Sequence, residues 1–162
     1  MNTTMKKQEG FTIIEVVLVL AIAALIMLMV FVALPALQRS QRDQQREQDV
    51  SRLSAAITQH KSRNNGNIPG TTGQPSWSDF FSTNMKGSTN EFNDPTGDSY
   101  TADTSLNSSK QQPPAWSQAE SRKIYMYTNA TCNGENVTAG GSSRSAVMVR
   151  SMEGGGFICQ QA

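Results

Sequence analysis

Residues 16–34, VVLVLAIAALIMLMVFVAL, are 19 consecutive apolar residues with no charge among them. Coiled at about 1.5 Å per residue, the run covers roughly 28 Å, close to the hydrocarbon thickness of a bilayer. A core helix of a soluble domain is the alternative, but the rest of the chain is too polar to wrap it. Of 60 apolar residues in the 162-residue chain, 31 fall in positions 1–63 and 29 in 64–162, where Gly, Ser, Thr, Asn and Gln make up 51 of 99 residues. That composition fits a small, loop-rich domain with a thin core and excludes a large enzyme fold around a deep pocket. A cleaved secretory signal also fits poorly. The A-x-A triplet at Ala21–Ala23 is followed directly by eleven more apolar residues, so the run is expected to be retained.

The residues before the run are more specific. Ten mainly polar residues, MNTTMKKQEG, lead into FTIIE, which sets Lys6, Lys7, Gly10, Phe11 and Glu15 in fixed relation. A carboxylate at the centre of a membrane helix costs about 2.5–3.5 kcal/mol, and less near its end. Between Lys7 and Arg39 there is no basic residue to pair with Glu15. A freshly made amino terminus at Phe11 would sit one helical turn away, or on a neighbouring copy.

KKQEG–FTIIE resembles the class III leader of type IV prepilins and related pilin-like proteins. The resemblance implies that a membrane peptidase cuts after Gly10 and methylates Phe11, and that Glu15 is the buried acid that sets assembly register. It implies as partners the prepilin peptidase, the pilus assembly machinery and further copies of the chain in a helical filament. It also implies a single-pass precursor in the cytoplasmic membrane, leader inside, that becomes an extracellular filament. Charge alone does not choose this orientation, since Lys6 and Lys7 face Arg39, Arg42 and Arg46 across the run. Many members carry Gly and Pro breakers early in the helix; here Ala24 and Val32 occupy those places and Pro35 lies three residues beyond.

Outward from the run, Pro35 predicts a kink. Gln38–Arg63 is polar with one narrow stripe, Val50, Leu53 and Ile57, continued by His60. Arg39 with Asp43, Arg46 with Asp49 and Asp49 with Arg52 are candidate helix-face pairs. Asn64-Asn65-Gly66 is a stop. Helical throughout, Phe11–Arg63 would be a rod of roughly 80 Å. His60 stands without a second His or nearby Cys and reads as structural rather than as a base or metal ligand.

The remaining chain gives a segment poor in strand signals, 64–122, then a strand-rich one, 123–162. Trp77, Phe80, Phe81 and Met85 fall at helical spacing behind a Ser76 cap with Asp79 in the box position, and read as core. Asp94-Pro95-Thr96-Gly97 is a turn, with Tyr100 following as it does before a strand in pseudopilin heads. Asp94, Asp98, Asp103 and Glu91 form a weak calcium candidate without EF-hand spacing. Strands are expected at 123–128, 145–152 and 157–160, with a hairpin turn at Glu153–Gly156, and Ile124 and Met126 sharing one face opposite Tyr125 and Tyr127. Cys132 and Cys159 are the two cysteines, and in an exported, thin-cored domain they are expected to pair, as the family commonly does near its C-terminus.

The expected fold is α+β: a long N-terminal helix, membrane-spanning then amphipathic, packed on a small C-terminal antiparallel sheet. The segments are a leader (1–10), an apolar helix (11–37), its amphipathic continuation (38–63), a connection (64–122) and the sheet region (123–162). No cofactor is expected and no catalytic set is visible, since the chain carries no Gly-rich phosphate loop and no Ser/His/Asp constellation. A net charge of +1 gives no strong nucleic-acid signal. Residues 11–162 hold 12 basic and 12 acidic side chains, so copies would pack without strong mutual repulsion. Three functions stand in order: a pilus-like filament subunit serving adhesion, motility or DNA uptake; a pseudopilin of a secretion or competence apparatus; a membrane-anchored binding module.

Overall fold

A computed structural model describes residues 10–85 and 92–162. The chain divides after Gln38 into two compact units. Helix α1, Ile13–Arg63, belongs to the first unit through Gln38 and to the second from Arg39. It continues as α-helix across Pro35 despite the donor that proline removes. Its end follows the predicted stop: Asn65 takes a left-handed φ of 53° and the Gly66 N–H reaches back to the Lys61 carbonyl at 2.8 Å.

In the second unit, α2 (Trp77–Phe80) runs into a π turn, Phe81–Met85. Among the described residues six strands follow: β1 (Thr101–Asp103), β2 (Lys123–Thr128), β3 (Ala130–Asn133), β4 (Asn136–Ala139), β5 (Ala146–Ser151) and β6 (Phe157–Gln161). The Ser76 hydroxyl accepts the Asp79 N–H at 3.2 Å and donates to the Asp79 carboxylate at 2.7 Å, which starts α2 as expected.

The main sheet has the order β1-β2-β5-β6. It is mixed rather than wholly antiparallel, because β1 pairs with β2 in parallel, Thr101 opposite Lys123. Residues 104–122 make this possible, since a parallel pair needs a long crossover and this stretch supplies one. The other pairings are antiparallel, with Met126 opposite Met148 and Val149 opposite Cys159. The turn between β5 and β6 closes through Met152 N–H to Gly156 C=O at 3.1 Å.

Side-chain alternation sorts the core into two layers. Ile124, Met126 and Met148 pack with the α1 stripe Val50, Leu53 and Ile57, and with Trp77, Phe80 and Phe81. On the opposite face Tyr125, Tyr127, Val147 and Val149 are also buried, under Ala130 and Val137 of a β3–β4 hairpin. Sequence reading assigned no strand to 130–139. The available signal was two four-residue segments, ATCN and NVTA, around Gly134-Glu135, with Gly134 at φ 61°.

Candidate functional site

Two groups of residues carry chemistry, one in each unit. In the first, Gly10 and Phe11 precede the helix and both are exposed, Phe11 by 90%. Thr12 caps α1. Its carbonyl takes the first helical N–H, from Val16 at 3.3 Å, and its hydroxyl accepts the Glu15 N–H at 3.4 Å. Glu15 answers, its Oε2 accepting the Thr12 N–H at 2.8 Å and the Thr12 hydroxyl at 2.7 Å. This is a capping box, a Thr and a Glu three apart satisfying each other's termini. The Thr12-x-x-Glu15 spacing is the sequence signal for this cap. Both members lie after Gly10, so the box needs nothing from residues 1–10, and Lys6 and Lys7 fall outside the described residues.

Beyond the cap, the large apolar side chains of Val16–Leu34 are exposed. This stretch of α1 is long and apolar enough to cross a membrane. Exposed apolar surface on this scale marks a site of association with lipid or protein.

The second unit holds a buried ionic cluster that sequence reading missed. Arg46 and Arg150 are both fully buried. Arg46 bonds Asp94 at 2.8 and 3.1 Å, Asp43 at 2.9 Å and Glu153 at 3.2 Å. Arg150 donates to Asp94 and to the Ser121 carbonyl, and its guanidinium lies 4.5 Å from the centre of the Tyr100 ring. The Tyr100 hydroxyl in turn donates to Asp49 at 2.9 Å. Arg42 clasps Glu153 through two bonds, 2.9 and 2.6 Å, and the Asp43 carboxylate accepts the N–H groups of Glu153 and Gly154 at 3.0 and 2.7 Å.

Burial opposes charge throughout this cluster, and the partners decide each outcome. Burial works against Asp94, but the bonds from Arg46 and Thr96 outweigh it and hold its carboxyl below the usual range. For Arg46 burial is likewise overcome, by Asp94 and Asp43, and its guanidinium is held more firmly charged. Arg42, with help from Arg46, pulls Glu153 down to about 2. Burial dominates at Asp49, whose carboxyl is raised, and at Arg150, which is lowered. The cluster ties α1 to the Asp94–Gly97 turn and to the β5–β6 turn. Of the expected helix-face pairs only Asp49 with Arg52 forms, at 3.5 Å; Arg39 and Arg46 reach Glu153 instead.

The acids of the calcium candidate take other partners or stand apart. Asp94 faces two guanidiniums, Asp103 accepts the Ser105 N–H at 2.8 Å and pairs with Lys123 at 3.7 Å, and Asp98 is exposed. Glu91 lies outside the described residues. Among the described residues no group of three or more His, Cys, Asp or Glu side chains is placed to hold a metal ion. His60 bonds Gln74 at 2.9 Å and stacks edge-on with Phe80, a packing role. Cys132 and Cys159 are joined in a disulfide that fastens β3 to β6.

Residues 5–31 match the family model of the prokaryotic N-terminal methylation motif. Searches of curated proteins and of solved structures each returned no match.

Proposed function

We propose that this chain, which carries the class III prepilin leader found in type IV pilins, is the precursor of a pilus-like filament subunit. The observation that carries the reading is continuity. The motif takes in most of the apolar part of one uninterrupted 51-residue helix, and those apolar side chains are exposed. Such a surface requires lipid or copies of itself, and the motif supplies a route from one to the other. In this reading the prepilin peptidase cuts after Gly10 and methylates the Phe11 amine, and the chain leaves the membrane by packing its apolar stretch against that of other copies. Glu15 then faces the Phe11 amine of a neighbour, and pairing the two charges inside an apolar bundle fixes axial register. The filament would serve adhesion, motility or DNA uptake.

Intact mass spectrometry on protein sheared from the cell surface tests the reading. The expected mass is that of residues 11–162 plus one methyl group and minus two hydrogens for the disulfide. A full-length chain confined to the membrane would overturn it in favour of a plain anchor.

A second reading, a pseudopilin of a secretion or competence apparatus, draws support from Asp94-Pro95-Thr96-Gly97. The turn closes through Gly97 N–H to Asp94 C=O at 2.7 Å and leads through Tyr100 into β1. Long filaments on the cell surface favour the first reading; loss of protein export on deletion, without such filaments, favours the second.

A further inference from the structure

Between segment 70–78 and the end of β1 the second unit carries a cleft of about 530 Å³, within the size range of small-molecule sites. None of its lining residues bears a charge. Hydroxyl and amide side chains dominate: Thr71, Gln74, Ser76, Ser78, Thr104 and Asn107.

The walls are held in place from behind. Gly70, at φ 77°, lies so close to Trp77 that a Cβ there would come 2.3 Å from the indole Nε1. The Gly70 N–H is tied to the Pro75 carbonyl at 2.8 Å. On the other wall Asn107 Oδ1 accepts the Thr128 N–H at 2.8 Å. What remains is hydrogen-bonding capacity without a protein partner. Gln74 spends its Oε1 on His60, and its NH₂ group has no acceptor among the described residues. The indole N–H of Trp77 and the hydroxyl of Thr104 likewise have no partner among the described residues, and both residues line the cleft.

We infer that this cleft binds a neutral, hydroxyl-rich ligand, one or two sugar units of a glycan. A charged ligand would bring its charge against walls that offer no counter-charge. An apolar ligand would strip water from the hydroxyls and amides and replace none of their hydrogen bonds. A polyol presents donors and acceptors together, the same dual capacity that Ser, Thr, Asn and Gln present to it. The inference does not depend on whether the chain builds a pilus or a pseudopilus.

The test is amide NMR on the full chain in phosphocholine micelles, which avoids sugar-headed detergents. The titrants are neutral hexoses, N-acetylhexosamines and their disaccharides, with sialic acid, a sugar phosphate and a neutral tetrapeptide as comparators. At least one neutral saccharide is expected to give saturable shifts confined to residues 70–78, 102–107 and 128. Ser78→Arg, at an exposed position on the rim, should abolish them, and Thr104→Val should weaken binding several-fold, with the β5 and β6 resonances unmoved in both. The inference is overturned if no neutral saccharide gives saturable shifts there at millimolar concentration. Tighter binding of the charged sugars or the peptide, or persistence of binding in Ser78→Arg, overturns it equally.

Discussion

Arg46 grips Asp94 through two parallel hydrogen bonds, Nε to Oδ2 at 2.8 Å and Nη2 to Oδ1 at 3.1 Å, with neither side chain exposed. Arg150 meets the same carboxylate from β5. One acid thus bonds two buried guanidiniums that come from a helix and a strand 104 residues apart, Arg46 and Arg150, with Asp43 and Glu153 also on Arg46. Removing one partner of a buried pair is far costlier than replacing the whole pair by apolar groups, because a bare charge is left behind. Asp94→Asn should therefore cost about 3–5 kcal/mol in urea unfolding of the second unit. Thr96→Ala, which deletes only the hydroxyl bond to Asp94, should cost about 1 kcal/mol. Equal losses in the two variants would show that the turn, not the charge, is what Asp94 provides.

The same cluster sets how acid acts. Glu153 is pulled from its ordinary 4.5 to about 2, first by Arg42 and then by Arg46. A carboxyl depressed in the folded state adds stability above its unfolded value and loses that addition as pH falls through the folded one. Asp94 is depressed as well, Arg46 and Thr96 outweighing its burial, and acts with the same sign. Asp49, raised by burial, acts with the opposite sign, and acid relieves its cost. With two depressed cluster acids against one raised, stability should decline from about pH 4.5 toward pH 2. Urea midpoints across that window test this, and Glu153→Gln should flatten the slope while lowering the midpoint at neutral pH.

The Cys132–Cys159 bridge closes a loop with a sequence separation of 27. On the chain-entropy account, a loop of that length contributes about 3–4 kcal/mol. The bridge fastens the two-stranded hairpin to the edge strand, and Glu135 helps by accepting the Phe157 N–H at 3.0 Å. Reduction should lower the thermal midpoint sharply. It should also raise amide exchange in β3 and β4 before it does so in β2 and β5, which are buried on both faces. An unchanged midpoint in dithiothreitol would refute the assignment of stability to this bond.

What could be read in advance was whatever local chemistry determines. The uncharged run, the Val50–Leu53–Ile57 stripe, the Ser76 cap and the β-branched strands each act through neighbours a few residues away, and each stands where expected. The cluster was opaque for the opposite reason. Arg46 looks like any helix-face arginine until Asp94 and Glu153 arrive from distant sequence, and charged residues are exposed by default. β1 escaped because three residues carry little pattern, and its parallel pairing is decided by the 104–122 crossover. Alternation alone puts Tyr125 and Tyr127 on one face, but only the β3–β4 hairpin makes that face interior. The apolar stretch of α1 is the case where sequence and structure say the same thing, and its exposed side chains point to association rather than to packing within the chain.

The capping box separates the role Glu15 plays at the start of α1 from the register role proposed for it. As a cap it needs only an acceptor for the Thr12 N–H; as a register element it needs a negative charge. Glu15→Gln keeps an oxygen that can accept from Thr12 and discards the charge, so α1 should start at the same place, with unaltered helicity in micelles. Cleavage after Gly10 should continue, since the scissile region is untouched, while filaments recovered by shearing should fall to a small fraction of normal. Thr12→Ala does the reverse: it takes the side-chain half of the cap and leaves the carboxylate free to pair, so filaments should form at closer to the normal level. The measurement is a paired one on each variant, mass of the membrane-extracted chain for processing and electron microscopy of the sheared fraction for assembly. Normal filaments from Glu15→Gln would leave the acid with the cap alone and remove charge pairing from the account of register.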